Sequence, residues 1–134
     1  MEKNKRNISI CRVYEPPESK DGSWFLVDRL WPRGLKKDEL SFDVWFKNIA
    51  PSSELRKWFN HEPDKWYEFV HRYINELEDK SELIEELVKK ANHSNIVLFY
   101  AAKDKQYNHA KVLKTVLESW PKEPDLDQFS ALSR

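Results

Sequence analysis

The chain has 134 residues, 40% apolar and 13% aromatic, enough to bury the core of one ordinary domain. Its 23 basic residues balance 23 acidic ones, so it lacks the basic excess of a nucleic-acid binder that works by bulk charge, although a local basic patch stays open. A single cysteine, Cys11, excludes an intramolecular disulfide and any multi-cysteine zinc site, and two glycines are too few for a Walker or dinucleotide phosphate loop.

The charged start Met1-Glu2-Lys3-Asn4-Lys5-Arg6 leads into no long apolar run. No stretch approaches the ~20 apolar residues that span a bilayer. The expected compartment is therefore the cytoplasm, with no membrane partner. Ile8–Tyr14 is short, β-branched and alternating, and predicts a first strand. Pro16-Pro17 and Asp21-Gly22 mark a loop and turn, and Ser23–Asp28 predicts a second strand that runs into the loop Asp28–Gly34.

Beyond that loop the apolar period lengthens. Phe42, Trp45, Phe46 and Ile49 stand at i, i+3, i+4 and i+7, which predicts a short helix capped by Ser41 and stopped by Pro51. Ser52 or Ser53 caps a second helix carrying Leu55, Trp58 and Phe59. A third, with Pro63 in its first turn, carries Trp66, Phe69, Val70, Tyr73, Ile74 and Leu77 on one stripe. A fourth is capped near Ser81 and carries Leu83, Ile84, Leu87, Val88 and Ala91. Ile96–Ala101 is continuously apolar and predicts a central strand. A last helix carries His109, Leu113, Val116, Leu117 and Trp120, and Pro121 and Pro124 end it.

Helices between apolar strands predict an α/β fold, a small mixed or parallel sheet of about three to four strands packed by about five helices. The whole chain, 1–134, is expected to be one domain, with its core over 8–120 and a loosely held polar tail over 121–134. In such folds the crevice lies beyond the carboxyl ends of the strands, so the loops Asp28–Gly34 and Ala102–His109 are expected to meet there.

Val27-Asp28-Arg29-Leu30-Trp31-Pro32-Arg33-Gly34, followed by Ala50-Pro51-Ser52-Ser53-Glu54-Leu55-Arg56-Lys57-Trp58-Phe59, resembles the YeaO-like branch of domain-of-unknown-function family 488. Arg72-Tyr73 with Glu76-Leu77, Tyr100-Ala101-Ala102-Lys103-Asp104 and Asn108-His109-Ala110 extend the likeness, which runs from about Ile8 to Leu117. Tyr107 departs from the pattern, which more often places histidine there. The resemblance implies a fold and a family, and brings no substrate or catalytic assignment.

Several side chains are candidates for chemistry. Arg29 and Arg33 could grip a phosphate or carboxylate in a bidentate manner, with Lys36, Lys37 and Lys103 adding positive potential. Alternatively Asp28 pairs with one of the arginines and ties the loop down. His109 could transfer protons, or sit partly buried against Asp104 or a backbone carbonyl. Trp31 is either an anchor for its loop or a wall for a ligand. Cys11, inside a strand, is expected to be an inert buried thiol. His61, His71, His93 and His109 show no metal-ligand spacing, so no metal or cofactor is expected. Arg56, Trp58, His61, Trp66 and Tyr73 could stack bases, but mostly fall on core stripes.

Two functions stay open. One is an enzyme or binding protein for a small anionic, phosphorylated or nucleotide-like ligand. Arg29 and Arg33 would hold the anion, Asp28 would orient them, His109 would move protons, and Trp31, Lys103 and Tyr100 would line the site. The other is a non-catalytic module for nucleic acid or a protein partner, although the balanced charge does not favour nucleic acid. The oligomeric state is not legible.

Overall fold

The computed structural model describes residues 6–132, so the charged start over 1–5 lies outside the described residues. Strands β1 (Ile8–Arg12), β2 (Ser23–Leu26), β3 (Val44–Trp45) and β4 (Ile96–Tyr100) form one sheet in the order β1-β4-β2-β3. Every pairing is parallel, with Ile10 and Phe25 both opposite Leu98 and Leu26 opposite Trp45. Helices α1 (Ser53–Phe59), α2 (Trp66–Glu78), α3 (Ser81–His93), α4 (His109–Ser119) and α5 (Asp127–Leu132) complete the α/β fold.

Strand alternation divides the apolar residues between two layers. Phe25, Val27, Ile96, Leu98 and Tyr100 join the core shared with the helices. Trp24, Leu26 and Phe99 form a second cluster with Trp31, Leu35, Leu40, Phe42 and Trp45. The helices thus share one face of the sheet, and the excursion between β2 and β3 covers the other. A loop has no helical stripe, so it needs aromatic anchors of its own. Trp31 meets Phe42 and Trp45 edge-on, with ring centroids 5.9 and 5.4 Å apart. Central β4 is buried on both faces, which is why its apolar run is unbroken.

Two expectations fail. The helix expected from Phe42, Trp45, Phe46 and Ile49 is instead β3 followed by a 3-10 turn, Lys47–Ile49. Asp43 N–H donates to Trp24 O at 2.8 Å, and Phe46 N–H donates to Leu26 O at 2.7 Å, so the segment adds to the edge of β2. Its apolar residues then serve two cores: Phe42 and Trp45 face the loop layer, Phe46 and Ile49 the helix layer. The helical spacing was a coincidence of two strand faces.

The described part of the tail, 121–132, is not loose either. Phe129 on α5 is fully buried, and its ring lies 6.1 Å from that of Trp66. Burying such a ring contributes about 1.5–3 kcal/mol, enough to dock a six-residue helix. Smaller differences concern caps. Ser52 does cap α1, accepting from Leu55 N–H at 3.1 Å. Ser81 is the first residue of α3 rather than its cap, and Pro63 opens a 3-10 turn ahead of α2.

Candidate functional site

The two loops meet where the carboxyl ends of β2 and β4 lie side by side. Val27 N–H still donates to Phe99 O at 3.0 Å, so Asp28 is the first residue free of the ladder. Its Oδ2 accepts from Ala101 N–H at 3.0 Å, joining the two strand ends. Asn108 caps α4 by accepting from Lys111 N–H and donates from Nδ2 to Asp104 O, each at 3.0 Å. That fixes His109 in the first turn, pointing back at the sheet.

His109 Nε2 lies 2.9 Å from Val27 O and 3.2 Å from Asp28 Oδ1. A carbonyl can only accept, so the Nε2 proton must be present and is directed at Val27 O. Asp28 Oδ1 is therefore buried beside the imidazole without a well-formed hydrogen bond. The contact is best described as electrostatic rather than as a second full bond. Nδ1, on the far side of the ring, has no partner among the described residues. The ring also meets Tyr73 edge-on at 6.1 Å.

Arg29 turns the other way. Its Nε donates to Pro51 O and its Nη2 to Ala50 O, each at 3.0 Å. Lys80 Nζ reaches the same Ala50 O at 3.2 Å, and Tyr73 OH donates to Ile49 O at 2.8 Å. Three consecutive carbonyls of the turn after β3 are thus held by side chains. Glu76 completes the fastening, accepting from Ser52 N–H at 2.9 Å and from Ser52 Oγ at 2.6 Å. Burial, with Glu76 and Asp28 nearby, pushes the Tyr73 hydroxyl well above its ordinary range, so it stays a neutral donor. Burial and the neighbouring Arg29 lower the Lys80 ammonium, with Glu76 partly offsetting them.

The candidate residues therefore separate. Asp28 and His109 come together, whereas Arg29 is held by the Ala50 and Pro51 carbonyls, and no arginine pairs with Asp28 among the described residues. Trp31 packs in the aromatic cluster, and its Nε1 donates to Leu35 O, so it anchors the loop. Arg33 and Lys103 are exposed. Tyr100 is buried, and burial raises its hydroxyl. Its charged neighbours are Lys105, Arg12 and Glu15, a different group at the end of β1. Cys11 is half-buried there, its Sγ 3.3 Å from Glu15 O, and burial raises its thiol. Among the described residues no three His, Cys, Asp or Glu side chains gather as a metal site.

From the sequence Tyr73 falls on a core stripe, and Glu76 and Lys80 have no assigned role. The i, i+3 spacing of Tyr73 and Glu76 puts both on one helix face, which was the available signal. Lys80 carried none. An open groove of about 490 Å³ lies at the opposite end of the sheet, lined by Asn7, Ser9, Asp21, Trp24 and Asn95 among others, and none of Asp28, Arg29 or His109 borders it.

Fold and site define an all-parallel α/β protein with helices on one face and a closed polar cluster at its strand ends. The family model described as the inactive DUF488-N3 subclade matches residues 7–133, and the chain belongs to that family, within its YeaO-like members. It is 44% identical to the uncharacterized protein YeaO of Escherichia coli strain K12 over 113 residues, 84% of this chain and 98% of the relative. It is 40% identical to the uncharacterized protein Rv3073c of Mycobacterium tuberculosis strain H37Rv and to Mb3100c of Mycobacterium bovis. Each of these matches covers 82% of this chain and 92% of the relative. No solved structure matches. No helix among the described residues is long and apolar enough to cross a membrane.

Proposed function

We propose that the protein is a non-catalytic module that binds an anionic, phosphate-bearing partner through the tip of the Asp28–Gly34 loop and its continuation to Lys37. One observation carries this reading. The loop is braced from below, yet the cations at its tip, Arg33, Lys36 and Lys37, are exposed. Tyr14 OH donates to Arg33 O at 2.6 Å, Trp31 Nε1 holds Leu35 O, and Gly34 takes a positive φ of 79° that other residues rarely adopt. Above this frame Arg33, Lys36 and Lys37 are exposed, with no ion pair from their side chains among the described residues, and Leu30 beside them is 61% exposed. A mobile loop would lose conformational entropy on binding, whereas a braced one presents its charges at little cost. Membership of an inactive subclade supports a non-catalytic reading.

Binding of labelled single-stranded DNA, RNA and a nucleoside triphosphate, measured at two salt concentrations, tests the reading. Oligonucleotide retention that weakens with salt is expected, since three phosphate contacts on a single strand would displace roughly two condensed counterions. Negligible binding of every phosphate-bearing probe at low salt would overturn it.

A second reading is favoured by one distance, the 3.2 Å between Asp28 Oδ1 and His109 Nε2. A carboxylate beside a histidine whose Nε2 carries the proton leaves Nδ1 as a base, the arrangement a general base needs. Turnover of a phosphate ester by the wild type, abolished in His109→Asn, would support it, and no turnover in either would remove it.

A further inference from the structure

We propose that Arg29 and Lys80 together form a binding site for a single phosphate group, separate from the exposed loop tip. Both cations reach one neutral oxygen, Ala50 O, at 3.0 and 3.2 Å. Two nitrogens that share one acceptor are close enough for a tetrahedral anion to bridge them through different oxygens. Their donors are not exhausted by the protein. The guanidinium has five N–H groups, of which two serve Pro51 O and Ala50 O, and the ammonium has three, of which one serves Ala50 O. Both side chains are half-buried, so the remaining donors border solvent in a partly desolvated setting where charge-assisted bonds are strong.

The neighbouring carboxylates do not claim those donors. Glu76 gives both oxygens to Ser52, while Asp28 gives one to Ala101 N–H and sets the other beside His109. Among the described residues neither Arg29 nor Lys80 forms an ion pair. The lowered ammonium of Lys80 has burial and Arg29 as its leading causes, a cation facing a cation without a counterion bonded to either. Lys80 is also the residue before α3, a 13-residue helix whose start has no side-chain cap, so its first N–H groups add positive potential beside the same side chain. Asp28 and Glu76 keep the formal charge of the cluster near balance. The site is therefore expected to be weak, with dissociation constants on the order of millimolar.

The ligand class rests on the anion-binding reading above, but the residues do not overlap with Arg33, Lys36 and Lys37. Titration of the full chain with inorganic phosphate, followed by phosphorus NMR at constant ionic strength set with chloride, is the direct test. A 5′-mononucleotide in a parallel arm separates a free phosphate from a nucleotide phosphate. Saturable binding is expected in the wild type, about tenfold weaker in Lys80→Met, which keeps the apolar stem. Arg29→Lys, which retains the charge but not the fork, is expected to bind more weakly than wild type. Tighter binding of the mononucleotide would assign the site to a nucleotide. Equal affinity in wild type and a folded Lys80→Met, or no saturable phosphate binding, overturns the proposal. Absent oligonucleotide binding in the wild type, with saturable phosphate binding that Lys80→Met weakens, would overturn the loop reading and support the Arg29–Lys80 site.

Discussion

Two cationic regions stand a few residues apart in sequence and behave in opposite ways. Arg29 is drawn inward, where its guanidinium fastens Ala50 and Pro51 to the end of β2. Arg33, four residues on, has its backbone carbonyl held by Tyr14 and its side chain in solvent. The same residue type braces the backbone in one place and stands in solvent in the other, since Arg29 donates to two carbonyls and the Arg33 side chain has no hydrogen-bond partner among the described residues. A polar group at a strand end is therefore not a ligand site by position alone. What its hydrogen bonds already satisfy decides that.

The largest expected effect tests the inward region. Arg29→Ala strips donors from two part-buried carbonyls and is expected to lower stability by about 2–4 kcal/mol in denaturant unfolding. A loss below about 0.5 kcal/mol would show that the clamp is not needed. Tyr73→Phe removes only the bond to Ile49 O and should cost about 1–2 kcal/mol by the same measurement. At the loop tip, Arg33→Ala, Lys36→Ala and Lys37→Ala together should move stability by less than about 0.5 kcal/mol while binding falls.

The smallest effect is electrostatic and lies outside both regions. Lys20, 2.8 Å from Asp43, and the Trp24 N–H hold the Asp43 carboxyl below its ordinary range. A carboxyl lowered on folding adds stability above its unfolded value and loses it as pH falls through the folded one. Asp43→Asn should therefore lower the melting temperature slightly at neutral pH and converge on the wild type in acid, which flattens the acid limb. An unchanged acid limb would show that the pair contributes nothing.

The sequence carried the inner layer of the fold well and the outer layer poorly. Ile96–Ala101 is apolar throughout because both sheet faces bury it, and α2 keeps one stripe for three turns because one face does. Residues 42–49 misled because Trp45 and Phe46 serve opposite cores at a spacing that imitates a helix. Phe129 was overlooked because one aromatic in a polar tail carries no period. At the site, the meeting of Asp28 with His109 followed from the rule that parallel strands open at their carboxyl ends. The partners of Arg29 did not, since backbone carbonyls have no sequence signature.

The proposed function places binding at the loop tip and not at the Asp28–His109 pair. Fluorescence anisotropy with one labelled oligonucleotide at low salt, comparing the Arg33→Ala, Lys36→Ala, Lys37→Ala triple variant with His109→Asn, tests it directly. A loss of about tenfold or more is expected in the folded triple variant, from three lost phosphate contacts, with near wild-type affinity in His109→Asn. Wild-type affinity in the triple variant with a large loss in a folded His109→Asn would contradict it.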